Sequence, residues 1–461
     1  MRIELPKELQ NGARFAALAP FLPLNNALHF KGIATDSREV QPGDLFVAIR
    51  GKCHNGIVFA AEAAKNGAVA MLCEEQGDTG ELPLASFAVP SVNEALLTAA
   101  AAWRKQLSGQ VIAVSGSTGK TTVKEVIATV LGTKGRVAKS QGNFNSQIGV
   151  PLSLLAMHSV DYHVLEVGVS RVGEMAPLAK AVAPHVAVLT NIGTAHIGSF
   201  GSKEAIFAEK LSILSGLLKG VHLLLPHGLA NGRFQSKEML TFGEARGADF
   251  HITGVRHTRE GSAADIYYRG RVATDISWHI PGSVGLSTVA IGAAVGLYFG
   301  LDEEEIRNAM KAASFASPRM KRRLMAGRHV IDDTYNASPE AVIAALEALC
   351  YVGEGAPRAA VLGDICELGK YAKRLHREVG AAAAGAQLSH LFSYGAYAAD
   401  LAEGALATGM APSRVHCFAF GEEAGLAAAV MAAMPKGAYI LCKASRAVGL
   451  ERVIAQFERM P

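Results

Sequence analysis

Short apolar runs, each closed by a glycine or a polar residue, recur along the chain and alternate with stretches of helical period. The clearest are VIAVSG (residues 111–116), HVLEVG (163–168), VAVLTNI (186–192) and VHLLLP (221–226). A helical pattern, KTTVKEVIATVL (120–131), follows the first of them at once. A later set, HVIDDTY (329–335), AAVLGD (359–364), HLFSYG (390–395) and AYILCKAS (438–445), alternates with alanine-rich helical segments. Strands alternating with helices predict mostly parallel sheets covered on both faces. The first block, to about residue 108, has shorter runs such as DLFVAI (44–49) and AVAML (68–72), split by proline and glycine. The expectation is an α/β chain of three domains, 1–108, 109–315 and 316–461, with a second doubly wound sheet in the last. Ligands of such sheets sit beyond the carboxyl ends of the strands, so functional residues are sought there.

One stretch, residues 280–301, carries no charge over a length that would span a membrane. It opens with Pro-Gly, holds Ser283, Ser287, Thr288 and five glycines, and has no basic cluster close by. A buried helix is expected, not a membrane span. Half of the residues are hydrophobic and 19% charged, which excludes a disordered chain. The net charge of +4, without a run of like charges, does not indicate a nucleic-acid surface. The six cysteines (Cys53, Cys73, Cys350, Cys366, Cys417 and Cys442) form no CxxC, so reduced thiols in the cytoplasm fit better than zinc or a disulfide framework. The opening MRIELPKELQ has early charges and no apolar core, unlike a signal peptide.

The sharpest chemical feature is Gly116-Ser117-Thr118-Gly119-Lys120-Thr121-Thr122, lying between a strand and a helix. Glycines let backbone N–H groups wrap around phosphates at the positive end of a helix dipole. Lys120 would reach the terminal phosphates, and the Thr121 hydroxyl would ligate magnesium. The longer pattern G-x-x-x-x-G-K-[ST] is incomplete, because its first glycine position holds Val114.

Other strand ends carry further candidates. Glu166 closes HVLEVG and suits magnesium, directly or through water, or simply faces solvent. His196 closes a segment that begins Thr190-Asn191; it could hold a metal or phosphate, or be a structural histidine. Lys210 stands in a helical stretch, where a solvated face is the plain alternative. Asp332 and Asp333 could hold magnesium or a ribose hydroxyl, or cap the helix starting at Ser338-Pro339-Glu340. The basic cluster Arg319, Lys321, Arg322 and Arg323 is either a linker or the source of an arginine for the γ-phosphate. Lys443 and Arg446 end the last strong strand and could clamp a carboxylate.

In order, GSTGKTT (116–122), GNFNSQIGVP (142–151), LEVGVS (165–170), TNIGTAHIGSFGS (190–202), AEKLSI (208–213) and IDDTYNASP (331–339) resemble the motifs of the Mur ligases. These are ATP-dependent amide ligases that build the peptidoglycan stem peptide. TDSREVQPGDLFVAIRG (35–51) is similar to the nucleotide-sugar-binding segment of members that add the third residue or the final dipeptide. IDDTYNASP, with LGDICELG (362–369) and KASR (443–446), is most similar to the version that joins D-alanyl-D-alanine to a UDP-muramoyl tripeptide.

The resemblance implies a UDP-sugar-binding N-terminal domain, a central P-loop-type ATP-binding domain and a Rossmann-like C-terminal domain closing over the nucleotide. It implies that Gly116 to Thr122, with Asn191, cradle ATP and that Lys120 contacts its phosphates. Thr121, Glu166 and His196 would serve magnesium, and Lys210 matches a lysine that many members carry as a carbamate. Arg319 and Asp333 would close over the nucleotide. Ser37 and Arg38 lie in the uridine-binding stretch, and Asn143 and Asn145 along the muropeptide path. Lys443 and Arg446 are assigned to substrate, and a monomer is expected.

Three segments depart from the family pattern. Residues 282–289 lack the histidine and adenine-side asparagine of G-x-H-N-x-x-N-A, Asn55-Gly56-Ile57 replaces D-G-H, and KASR replaces K-G-S-R. Two alternatives therefore stand beside the leading reading. One is a related ligase using another carboxylate and amine; the other is a nucleotide-binding protein without turnover.

Overall fold

A computed structural model describes the chain except residues 20, 21, 23, 52–54, 75–82, 219–221, 231–238, 317–319 and 461. Three sheets order the described residues. The N-terminal sheet runs Arg2–Glu4, Gly32–Ala34, Asp44–Ala48, Ala70–Glu74, Ser86–Val89. Its first pair is antiparallel and the rest parallel. The helix Val92–Arg104 leads out of it, its first turn capped by the Ser91 hydroxyl, which accepts from Glu94 N. Its Trp103 indole donates to the Met157 carbonyl at 2.9 Å, fixing it against the next sheet.

The central sheet has nine strands, in the order Arg271–Trp278, Ser262–Tyr268, Phe250–His257, Met239–Gly243, His222–Pro226, Val186–Leu189, Gln110–Ser115, Tyr162–Glu166, Val137–Lys139. The expected strands at 111, 163, 186 and 221 are all here, and all are parallel. The strands Gln110–Ser115, Tyr162–Glu166 and Val186–Leu189 are neighbours, so their carboxyl ends converge. Three strands from Phe250 to Trp278 form an antiparallel extension that the sequence reading did not anticipate. Two of them are joined at Arg269 and Gly270, both at positive φ, in the two-residue turn that suits a twisted hairpin.

The uncharged stretch forms the helix Gly282–Tyr298, most of it buried. Its glycines serve close packing: a Cβ on Gly292 would lie 2.2 Å from the Met310 sulfur. Among the described residues no helix is long and apolar enough to cross a membrane.

The C-terminal sheet runs Lys321–Met325, Arg328–Asp332, Tyr439–Lys443, Arg358–Gly363, His390–Tyr394, Val415–Phe418, antiparallel only at the first pair. Lys321, Arg322 and Arg323, one reading of which was a linker, form its edge strand. Arg319 lies outside the described residues. The α/β class and the three-domain fold thus follow from three separately ordered sheets.

Candidate active site

The central strand Gln110–Ser115 ends in the glycine loop, and the helix Lys120–Gly132 starts immediately after it. Gly116 has φ +145°, and a Cβ there would lie 1.9 Å from Thr190 Oγ1; Gly119 has φ +77° and open space around it. Both positions select glycine, the first by contact as well as conformation. The loop is braced by the neighbouring strand end. Thr190 Oγ1 donates to the Thr118 carbonyl (2.6 Å), and Asn191 Oδ1 accepts from Thr118 N (3.0 Å). Gly193 N donates to Ser117 Oγ at 2.9 Å. The Lys120 ammonium folds back on the Gly116 and Ser117 carbonyls, at 2.9 and 3.3 Å.

Glu166 is not a solvent-facing strand end: it is 1% exposed. Thr121 Oγ1 donates to one of its oxygens at 2.9 Å and Asn145 Nδ2 to the other at 2.5 Å. Thr121, Glu166 and Asn145 therefore form one polar chain beside the phosphate loop. Sequence reasoning missed Lys124, four residues after Lys120. It is fully buried and donates to the Ser140 and Gly142 carbonyls, both at 2.8 Å. That pins the segment carrying Asn143 and Asn145. A lysine on the inward face of a buried helix was the available signal.

Lys210 is 2% exposed, so the solvated-face alternative is excluded. Burial, reinforced by the charge of Lys120 and opposed by Glu209, pushes its amine down to about 7. Glu209 itself accepts from Gly173 N (2.8 Å) and Met175 N (2.6 Å). His196 has φ +62°, with Nδ1 2.6 Å from Glu367 Oε2 of the C-terminal domain. The oxygen lies out of line for a regular hydrogen bond, and the two groups meet as a close polar contact. His196 holds the Glu367 carboxyl below the usual carboxylate range, against the effect of burial.

On the C-terminal side, Asp333 and Lys443 meet each other: Nζ and Oδ2 are 2.5 Å apart, and the ammonium is nearly buried. Lys443 also donates to the Asn336 carbonyl at 2.9 Å. Asp332 accepts from Thr334 instead of capping the next helix, whose cap is Ser338. Arg446 pairs with Glu451 at 3.2 Å on the surface. In the N-terminal domain, Ser37 is buried and donates to Glu62 at 2.5 Å. Arg38 is 78% exposed and forks onto Asp36. That contact holds the Asp36 carboxyl down at about 2.

One departure has a steric reason. A Cβ on Gly285, where the family pattern has asparagine, would lie 1.7 Å from the Ile280 carbonyl. Thr288, at the adenine-side position, is buried and donates to the Val284 carbonyl at 2.9 Å. Ser283 N and Oγ both donate to Glu347 of the C-terminal domain, at 3.1 and 2.5 Å.

The phosphate loop and the buried Glu166 lie at converging parallel strand ends, and a second doubly wound domain contacts the neighbouring segment through Thr194 and His196. Three family models match along the chain: "Mur ligase family, catalytic domain" over residues 29–108, "Mur ligase middle domain" over 114–296, and "Mur ligase, glutamate ligase domain" over 318–446. The chain belongs to the Mur ligase family, whose members form amide bonds with ATP.

Among its relatives, the UDP-N-acetylmuramoyl-tripeptide--D-alanyl-D-alanine ligase of Bacillus subtilis is 33% identical, over 93% of each chain. The ligase of the same description from Synechocystis is 32% identical, over 94% of this chain and 93% of that one. Among solved structures, MurF from Acinetobacter baumannii superposes with a TM-score of 0.81 at 28% identity, over 93% of each chain. MurF ligase from Thermotoga maritima in complex with ADP gives 0.74 at 30% identity, over 93% of this chain and 97% of that one.

Proposed function

We propose that this chain joins D-alanyl-D-alanine to a UDP-N-acetylmuramoyl tripeptide in peptidoglycan synthesis, converting ATP to ADP and phosphate. The observation that carries this reading is near full-length similarity to ligases of that description, in a chain whose phosphate loop and buried Glu166 form one connected site. The reading divides the chain into a UDP-sugar domain (1–108), an ATP domain (109–315) and a closing, amine-binding domain (316–461). It takes the protein to be a cytoplasmic monomer.

The substrate carboxylate attacks the γ-phosphorus, the bond to ADP breaks, and an acyl phosphate forms. The amine of D-alanyl-D-alanine then attacks the carbonyl carbon, loses a proton, and expels phosphate. Transfer of this kind needs positioning and charge neutralisation more than covalent help. The loop amides and Asn191 would hold the triphosphate. Lys120 would exchange the loop carbonyls for phosphate oxygens, adding positive charge where negative charge gathers. Arg319 would add a second cation from the C-terminal side, and Asp333, oriented by Lys443, would meet the nucleotide. Ser37 and Arg38 would border the uridine, Asn143 and Asn145 the muropeptide, and Arg446 the dipeptide carboxylate.

The donor set near the loop fits magnesium. Thr121 and Glu166 offer hard oxygens, and this ion is commonly held by one or two carboxylates together with substrate phosphates. Among the described residues no three His, Cys, Asp or Glu side chains cluster as a metal cage. Magnesium, when bound, supplies charge neutralisation on the phosphate oxygens. His196 and a carbamate on Lys210 would complete the ion's surroundings. An amine held near 7 is substantially neutral at physiological pH, which carbamate formation with carbon dioxide requires.

A coupled ADP-release assay with both substrates tests the reading. Release only when both are present is expected. No release from folded protein, or release with a different carboxylate and amine, would overturn it. For the carbamate, 13C-labelled carbon dioxide should give a carbamate NMR signal that Lys210→Met loses.

A further inference from the structure

The segment after strand Val186–Leu189 is gripped from two sides. Residues 190–193 brace the phosphate loop through Thr190, Asn191 and Gly193. The next residues are held by the C-terminal domain. We propose that Glu340 and Glu367 are positioning residues that clasp residues 193–201, so that the segment carrying His196, which continues from the residues bracing the phosphate loop, is held in place only while the C-terminal domain is docked. What the clasp serves rests on the ligase reading above; the clasp itself rests on geometry.

Glu340, at the start of helix Pro339–Val352, uses both oxygens. One accepts from Thr194 N at 2.8 Å and the other from Thr194 Oγ1 at 3.0 Å. Lys203 stands 3.6 Å away. A side chain at position 193 would collide with this carboxylate, since a Cβ on Gly193 would lie 2.7 Å from it. Glu367 contributes twice: its carboxylate reaches His196, and its carbonyl accepts from Gly198 N at 3.1 Å. Tyr371 OH donates to the Gly201 carbonyl.

The backbone at this joint is unusual on both sides. His196 and Glu367 are both left-handed, at φ +62° and +64°. Such conformations in residues other than glycine persist only where the surroundings over-determine them. Gly198 and Gly369 meet backbone to backbone. A Cβ on Gly198 would lie 2.7 Å from Gly369 N and 2.8 Å from the Glu367 carbonyl. The two surfaces therefore fit only without side chains between them, and the fit sets the left-handed residue that carries the imidazole.

The test uses the full chain. Gly198→Ala acts as a wedge: position 198 is not at positive φ, so alanine suits its own helix but not the docked neighbour. Small-angle scattering without nucleotide should show a larger radius of gyration than wild type. In turnover assays kcat should fall about tenfold or more, with KM for the UDP-sugar substrate unchanged. Glu340→Gln and Thr194→Val should each lower kcat, and the double variant should fall by less than the two losses combined, because the bond from the Thr194 hydroxyl is common to both. Glu367→Gln should lower kcat and leave the thermal midpoint unmoved. Unchanged scattering and kcat in Gly198→Ala, or full additivity of Glu340→Gln with Thr194→Val, would overturn the clasp. Should wild type turn over neither substrate, the ligase reading falls, while the scattering contrast still decides the clasp.

Discussion

At the scale of the residue, Lys210 shows most directly how burial makes chemistry. Its amine ordinarily ionises near 10.5 and here near 7. Between these values the unfolded chain holds a proton that the folded chain has released. The cost of burying the amine is therefore complete below about pH 7 and fades as the pH rises towards 10.5. Lys210→Met, studied in carbon dioxide-free buffer, should gain stability over wild type as the pH falls through this window. The gain should reach several kcal/mol, at roughly 1.4 kcal/mol per pH unit of displacement. Denaturant unfolding across the window measures it, and parallel curves would contradict a desolvated amine. Lys120→Ala should abolish turnover without unfolding the chain; an unchanged rate would remove the lysine from the reaction. The candidate types at both positions were legible in the sequence, whereas the burial that separates Lys210 from an ordinary helix-face lysine was not. Glu166 is the same case: position marked it as a candidate, and only neighbouring strands removed it from water.

At the scale of the element, the loop between strand Gln110–Ser115 and helix Lys120–Gly132 was legible because glycine spacing reports backbone conformation directly. Its two glycines should differ when replaced. Gly116→Ala meets both a positive φ and the Thr190 hydroxyl, and should cost about 1–3 kcal/mol and abolish the thermal shift given by ATP. Gly119→Ala has room and should be the milder change. Thermal melts with and without ATP rank them; equal losses would mean that strain alone matters. The buried parallel strands were legible for a related reason, since uninterrupted apolar runs survive inspection without a partner. The hairpin strands from Phe250 to Trp278 were not, because their alternation is interrupted by bulges and by polar residues on the exposed face. Helix Gly282–Tyr298 is largely apolar because sheet and helices cover most of it, and its Gly285 is dictated by the Ile280 carbonyl.

At the scale of the whole molecule, the central and C-terminal domains meet at three glutamates, Glu340, Glu347 and Glu367, each supplied by the C-terminal domain. Residues distant in sequence are thereby joined, and a nucleotide between the domains should tighten both sides together. Hydrogen exchange should fall in residues 193–201 and 367–371 on adding ADP and magnesium, and stay unchanged in the N-terminal sheet. Protection on one side only would argue against joint closure.

The sequence by itself determined the α/β class, the alternation of strand and helix, the phosphate loop and the types of most candidate residues. These are properties of local conformation and of hydrophobic period, and both are written in neighbouring residues. The tertiary structure alone decided which candidates are buried, which carboxylate each amine and imidazole faces, and where two glycines let one domain rest against another. Burial and pairing depend on residues tens to hundreds of positions apart, and nothing in the local pattern fixes that separation in space.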